Sequence, residues 1–458
     1  MSCRIHHDDT ELGTYEPRKK GMRLTTRTWI SLLGLVFVVA FAVRGLAIKL
    51  TPRGDYYTDL EIYRASGDLI LNGVNPYDFS DKVAIRSALR QQAHSPYLRD
   101  DQARWDYYTS GNLPMNLLFF AGVSGISDTP RFHRYTYAFF DSVLSVVVVW
   151  FVIRYWSQKP SALSTMLESH GMSSDRALLA ERLVAGLLLA GVSPVLLKAG
   201  VAYPEDKGIE VLLVVAVIAC SLSRNYHRWY WGGAIFLGLS IAFKGLGIFL
   251  APMFVGRLLA SPPRAWLKAL GFALVVAFVA IVWIPPFWPG VANMVKHRLV
   301  LASAESPQHA SIWVLPSLYL PSLWNYLRFV AVFLVAGVAL WGYLRKRIGV
   351  DLLCTTLLLD FVVVWLINGG MDRQSIGIVP ALLVLGTVSV NAAILCMSPY
   401  LIIAGFGGLL IRGVSGQSLA GFGMLIFLLT YFAVLCWLSF IADARKREEE
   451  EVAQDSSV

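Results

Sequence analysis

The stretch WISLLGLVFVVAFAVRGLAIKLTPRGDYYTDLEIY, residues 29–63, decides the fold class. Residues 29–49 are apolar almost throughout, and a bilayer core about 30 Å thick takes roughly 20 such residues as one helix. Arg18, Lys19, Lys20, Arg23 and Arg27 precede this run, and basic residues beside a membrane helix resist translocation, which puts the N-terminus in the cytosol. No small-residue cleavage site accompanies the run, so it reads as an uncleaved anchor. At Thr51-Pro52 it gives way to a stretch rich in tyrosine and carboxylates, expected on the opposite, external side.

Composition extends this reading to the whole chain. The protein has 458 residues, 56% hydrophobic and 16% charged, with a mean hydropathy of +0.55; a water-facing surface is excluded by such a balance. The net charge of +9 would suggest nucleic acid in a soluble chain. Here the basic residues cluster at the ends of apolar runs, where they act as orientation signals, and no nucleic-acid partner is expected. The cysteines, Cys3, Cys220, Cys354, Cys396 and Cys436, show neither a disulfide framework nor metal spacing.

Apolar segments are expected at 29–49, 113–127, 135–153, 183–201, 209–223, 229–243, 245–259, 266–284, 324–344, 351–367, 376–396, 398–412 and 419–441. Arg445, Lys446 and Arg447 place the C-terminus in the cytosol as well, and Arg345, Lys346, Arg347, Arg224 and Arg228 fall on the same side. Two cytosolic termini require an even number of crossings, and the segments above are odd in number. Either 113–127, short and interrupted by Pro114, Asn116, Gly122 and Gly125, does not cross, or 154–182 is external and the parity breaks elsewhere. The expected architecture is therefore all-α: a polytopic membrane protein of about 12–13 transmembrane helices, by the roughly 20-residue yardstick. It comprises a cytosolic tail 1–28, a membrane domain 29–441 with long external loops 51–112 and 285–323, and a cytosolic tail 442–458.

The external side carries the residues with chemistry. Asp59, Ile62 and Tyr63 share a helical face by their spacing, which sets a carboxylate over an aromatic ring beside the membrane surface. A partly desolvated carboxylate there can act as a general base; the alternative is that Asp55 or Asp59 caps the helix 59–71. Lys244 ends an apolar helix with apolar residues on both sides. Its ammonium group either snorkels or meets an anion, of which a lipid phosphate is the natural one at that leaflet. Asp206 and Lys207 precede a helix on the same side, Arg373 lies in the turn Gly369-Gly370-Met371-Asp372-Arg373-Gln374, and His297, Arg298 and His309 lie in the second loop. Such cations suit a phosphate leaving group. Arg44, Asp141 and Asp360 are expected to pair inside the bundle. His297 and His309 lack a third ligand at zinc spacing. With no phosphate-binding glycine loop, Gly-x-Ser-x-Gly or Cys-x-x-Cys in the chain, ATP hydrolysis and serine or metal hydrolysis have no support.

These motifs resemble those of a known family. Asp59-Leu60-Glu61-Ile62-Tyr63 followed by Gly73-Val74-Asn75-Pro76-Tyr77-Asp78, after one helix and at the head of a long external loop, is similar to the GT-C superfamily of membrane glycosyltransferases. The closest likeness is to the polyprenol-phosphate-dependent mannosyl- and arabinosyltransferases of glycosyltransferase family 87. The stretch 203–252, with Phe243-Lys244-Gly245-Leu246-Gly247 before Pro252, is similar to the same family. The chain departs from it at Ser110-Gly111-Asn112-Leu113-Pro114, where Tyr-Pro-Pro is common. It departs again at Glu205-Asp206, where Gly-Gln is common, and at Lys244-Gly245, where Lys-Pro is common.

The resemblance implies transfer of a sugar, mannose or arabinose, from a polyprenyl-monophosphate donor to a lipid or glycan acceptor on the external face of the plasma membrane. Asp59 would be the general base of an inverting displacement. Tyr63, Asp206, Lys207, Lys244, Arg298, His309 and Arg373 would bind substrate, Tyr57, Trp313 and Tyr319 would stack on sugar, and neither a cofactor nor a divalent metal would be required. Two other classes compete: a transporter or flippase of lipid-linked sugars, and an assembly subunit with a decayed site, in which Asp59→Asn would be silent.

Overall fold

The computed structural model describes residues 25–56, 58–77, 112–155, 162–191, 206–221, 225–259, 265–295 and 323–345, with 197, 201, 204, 223, 319 and 320 between them. The expected segments 351–367, 376–396, 398–412 and 419–441 lie outside the described residues. Among those described, the secondary structure is all helical, with no strand.

Helix α1, Thr26–Leu50, opens where Thr25 Oγ1 accepts the Thr28 amide at 3.2 Å, satisfying one of the donors a helix N-terminus leaves open. A 3-10 turn, Pro52–Tyr56, leads to α2, Thr58–Leu71. Helix α3, Pro114–Ile126, starts on a proline, whose fixed φ suits a first helical turn. The tight turn 127–129 then delivers α4, Pro130–Tyr155. Two short elements follow, α5, Ala162–Ser169, and α6, Ser174–Gly186, which continues as a π-helical turn, Leu187–Gly191. Helices α7, Lys207–Ser221, and α8, Gly233–Lys244, come next, with a π turn His227–Gly232 leading into α8. After a 3-10 turn, Leu246–Leu250, come α9, Ala251–Leu259, α10, Ala265–Ile281, and α11, Trp324–Leu344.

Among the described residues, two helices are long and apolar enough to cross a membrane, α1 and the Pro130–Ile153 portion of α4. They sit differently. The apolar window of α4 is 61% buried and that of α1 only 17%, so α4 is the central post and α1 lies at the periphery. Helix α4 packs against α1, α6 and α7.

Buried charge ties these helices together. Arg44 of α1, fully buried, pairs with Asp141 of α4 at 3.7 Å, as the sequence suggested. Its guanidinium also donates to the Gly191 carbonyl at 2.7 Å and the Ala190 carbonyl at 2.9 Å. Those carbonyls belong to the π turn, where the i→i−4 ladder is interrupted, so Arg44 supplies donors that the local backbone does not.

Helix α3, one of the two places where the parity of the expected crossings could break, is short. Its 13 residues run beside the first turns of α4 only. Phe119 meets Phe140 at 5.4 Å, Phe120 meets Tyr137 at 5.7 Å, and Ser124 reaches His133 at 3.3 Å. The middle and C-terminal end of α3 thus lie against the N-terminal half of α4. Helix α2 packs along it so closely that a Cβ at Gly67 would stand 2.9 Å from backbone atoms of Phe120 and Ala121.

Candidate functional site

The site forms where four chain segments meet beneath this layer, over a core containing Leu60, Leu117, Phe120, Ile209 and Phe243. Each segment presents one polar side chain, and each does so for a local reason.

Asp206 stands immediately before α7. Its backbone carbonyl accepts the Ile209 and Glu210 amides at 3.1 and 3.2 Å, which starts the helix and turns the carboxylate sideways into the bundle. Lys244 is the last residue of α8. The helix stops there because Gly245 takes φ +83°, a left-handed conformation open to glycine, and donates its amide to Ile241 at 2.9 Å. Gly247 then returns so tightly that a Cβ would stand 2.9 Å from the Leu237 carbonyl. The Lys-Gly-Leu-Gly sequence is what this fold of the chain requires. Asn116 lies in the first turn of α3, behind Pro114. Tyr63 is one turn into α2, with its ring stacked on Phe120 at 4.6 Å.

The four side chains converge on the carboxylate. Lys244 Nζ donates to Asp206 Oδ1 at 2.5 Å, and the Tyr63 hydroxyl donates to the same oxygen at 3.2 Å. Asn116 Nδ2 donates to Oδ2 at 2.5 Å. Lys244 also reaches the Tyr63 oxygen at 3.4 Å. Asp206 is fully buried, whereas the Lys244 side chain keeps 16% of its exposure. Burial pushes the Asp206 carboxyl up. The charges of Lys244 and Lys207 and the bonds from Lys244 and Asn116 outweigh that and hold it below the ordinary carboxylate range.

The structure therefore gives Lys244 a protein counter-ion, where the sequence left the choice between snorkelling and a lipid phosphate. An ammonium at the end of an apolar helix cannot stay unpaired at such depth, and Asp206 is the anion that α7 brings to it. Asp206 in turn has both oxygens engaged by protein donors. Lys207 points elsewhere and pairs with the buried Glu210 at 3.8 Å. Asp59 is half-buried on the first turn of α2, four residues before Tyr63.

Asp55 lies in the 3-10 turn before α2 and is tied to α4. Its carboxylate binds Arg134 of α4 at 2.6 Å and Arg131 at 3.4 Å. Arg134, fully buried, also donates to Thr51 Oγ1 at 2.8 Å and to the Val201 carbonyl at 2.7 Å, so Asp55 anchors the entry to α2. Midway along α2, Arg64 pairs with Asp128 at 2.9 Å. Asp68, one turn on, has its carboxyl raised to about 6, first by burial and then by the neighbouring Asp128 charge. Tyr77, in the Gly-Val-Asn-Pro-Tyr stretch, is fully buried, donates its hydroxyl to the Asn112 carbonyl at 2.5 Å, and meets Phe287 edge-on at 5.5 Å. Burial raises its phenol well above the usual value.

Of the sequence-level candidates, Tyr63, Asp206 and Lys244 are brought together. Asn116 was missed as a site residue, and its signal was an amide in the first turn of an otherwise apolar helix. Arg298, His309 and Arg373 lie outside the described residues, as do His297, Tyr57, Trp313 and Asp360. Tyr319 is 80% exposed. Among the described residues no group of three or more His, Cys, Asp or Glu side chains is placed to hold a metal ion. Comparison with protein-family models finds no match for the chain, and comparison with curated proteins finds none either.

Proposed function

We propose that the protein is a polytopic membrane glycosyltransferase of the GT-C kind, moving a sugar from a polyprenyl-monophosphate donor to a hydroxyl of a lipid or glycan acceptor on the external face of the plasma membrane. The observation that carries this reading is the meeting of Tyr63, Asp206 and Lys244, from α2, the start of α7 and the end of α8, with Asp59 one helical turn from Tyr63. A carboxylate and a cation held at one end of a helical bundle are the two groups the reaction needs.

The membrane setting is supported by the apolar surface. Ile30, Leu35, Val38 and Leu46 on α1 and Leu270, Leu274 and Phe278 on α10 are each at least half exposed. Faces of that kind are disfavoured in water and suited to lipid. In the proposed topology α1 and α4 run antiparallel through the bilayer, α3 does not cross, and the paired charges lie near the external boundary.

In the reaction, the acceptor hydroxyl oxygen attacks the anomeric carbon from the face opposite the phosphate, and its proton passes to Asp59. The bond between the anomeric carbon and the phosphate oxygen breaks, its electron pair leaves with polyprenyl phosphate, and the configuration inverts. One base and a cation at the leaving oxygen are sufficient, because a phosphate monoester leaves already ionised. The test is incubation of purified protein with polyprenyl-phosphate mannose or arabinose and a lipid acceptor. Release of polyprenyl phosphate with formation of a glycosylated product is expected. Uptake of the lipid-linked sugar across proteoliposomes without a glycosidic product would move the assignment to transport.

A further inference from the structure

We propose that Asp141 is a positioning residue for the Asp206–Lys244 pair: its carboxylate, held by Arg44, fixes where the first turn of α7 stands and so where Asp206 meets Lys244. The alignment is a property of the bundle, and only its catalytic consequence rests on the proposed function.

The link runs through Gly208. This residue lies within the turn that the Asp206 carbonyl closes on the Ile209 and Glu210 amides at 3.1 and 3.2 Å, so a displacement at Gly208 is passed to Asp206. A Cβ on Gly208 would overlap Asp141 Oδ1 and stand 2.8 Å from Asp141 Cγ; the carboxylate from α4 fills the place that a side chain of α7 would take. Its negative charge suits that place, the N-terminal end of α7, where the helix dipole is positive. The other carboxylate oxygen, Oδ2, faces Arg44 Nε at 3.7 Å. Arg44 is fully buried and is itself fixed by donating to the carbonyls of Ala40, Ala190 and Gly191 at 3.1, 2.9 and 2.7 Å. Ser145, one turn along α4, donates to the carbonyls of Asp141 and Ala190 at 2.8 and 3.0 Å. Asp141 is thus braced from α1 and from the π turn, and its carboxylate cannot swing aside without leaving a buried cation behind. At the other end of these contacts Asp206 meets Lys244 and Asn116 at 2.5 Å each, distances that tolerate little movement of α7.

The experiment reads the coupling between Asp206 and Lys244, taken as the non-additivity of Lys244→Met and Asp206→Asn in the midpoint of thermal unfolding in one detergent, and so needs no substrate. The coupling is measured in the wild type and in three variant backgrounds. In Gly208→Ala, where the new methyl group meets the carboxylate, it is expected to fall to less than about half of its wild-type value. In Arg44→Met with Asp141→Ala, which removes both charges together, it should fall as well, because α7 loses its support. Adding Gly208→Ala to that pair puts a methyl group into the vacated space and should raise the coupling again, a reversal of sign for the same substitution. A merely structural role lowers every midpoint and leaves the coupling unchanged in all backgrounds. Where Gly208→Ala alone does not fold, the comparison with and without it in the Arg44→Met, Asp141→Ala background decides.

A coupling that keeps its wild-type size in Gly208→Ala, or that falls further when the same substitution enters the vacated background, overturns the proposal. Turnover from polyprenyl-phosphate mannose per folded molecule is expected to fall about tenfold or more in Gly208→Ala, the scale on which small misplacements cost rate. Intact turnover there overturns the catalytic consequence. The expected pattern of coupling with no transfer to any acceptor upholds the alignment and overturns the glycosyltransferase reading.

Discussion

Tyr63 and Lys244 meet at a single atom, Asp206 Oδ1, at 3.2 and 2.5 Å. This junction ties α2, the helix that follows the first membrane-length segment, to the break between α8 and α9. A buried carboxylate holding two donors from distant segments is costly to leave half-satisfied, so the network acts as a unit.

Removal of one partner should therefore be worse than removal of both. Lys244→Met leaves Asp206 charged and fully buried, and about 3–5 kcal/mol is the usual scale for orphaning one member of a buried pair. The double variant Lys244→Met with Asp206→Asn is expected to regain part of that loss. Thermal unfolding of the three proteins in one detergent checks it, and a double variant less stable than Lys244→Met would count against a coupled pair.

Asp55 and Asp59 sit four residues apart and should behave in opposite ways. Asp55 is engaged by Arg134, which has no exposure, and by Arg131. Asp55→Asn is expected to cost roughly 1–3 kcal/mol, the range for weakening a hydrogen-bonded charge, while turnover per folded molecule stays within about twofold. Asp59→Asn should lower turnover per folded molecule by on the order of a hundredfold or more, as for removal of a general base. Parallel assays of folded fraction and product formation separate the two roles.

Much of the first layer was legible in the sequence because it rests on periodicity and breakers. The long apolar run 29–49 and the glycine after Lys244 mark helix ends by local chemistry that needs no tertiary knowledge, whereas α4 starts at Pro130, five residues before the expected 135. The site was legible only in part. Tyr63, Asp206 and Lys244 stood out as polar groups beside apolar runs, but which of them would pair depends on how α2, α7 and α8 approach one another. Asn116 passed as a helix interrupter because an amide carries no charge to draw notice. Asp55 was one of two carboxylates that could have capped α2, and its partner Arg134 lies on α4, 79 residues on.

Asp68 gives a pH signature distinct from that of Asp206. Burial and the Asp128 charge raise the Asp68 carboxyl to about 6, so its ionised form is penalised in the folded protein. That penalty is absent below the unfolded value near 3.8, grows as pH rises through about 6, and is constant above. Asp68→Asn, whose amide can donate to Asp128 as the protonated acid would, is expected to raise the unfolding midpoint at pH 7.5 and to leave it unchanged near pH 4. The folded-state value of Asp206 is depressed, so its contribution to stability is present above the unfolded value and lost only as pH falls through the lower folded one. An unfolding-midpoint profile showing no difference between wild type and Asp68→Asn at pH 7.5 would remove the first assignment.

The close approach of α2 and α3 has a steric test. A methyl group at Gly67 would stand 2.9 Å from the backbone of Phe120 and Ala121, atoms that cannot swing aside. Gly67→Ala should push the helices apart and cost about 1–3 kcal/mol, the usual range for overpacking. Because Tyr63 is stacked on Phe120, the same change should also lower the proposed transfer activity. Gly122→Ala on α3, where a Cβ meets nothing within 4 Å, serves as the neutral control.

The path of α3 decides the topology. At 1.5 Å per residue a helix of this length spans about 20 Å, too little for a bilayer core. Phe119 in its middle meets Phe140, and Ser124 near its C-terminal end meets His133, so its second half runs back along the first turns of α4. If it turns back on the external side, Asn112→Cys and Ser127→Cys should both react with a membrane-impermeant maleimide added to intact cells, and a cysteine at Arg345 should react only after permeabilisation. Opposite labelling of Asn112→Cys and Ser127→Cys would make α3 a crossing. It would also make 154–182 external and place the break in parity elsewhere in the chain.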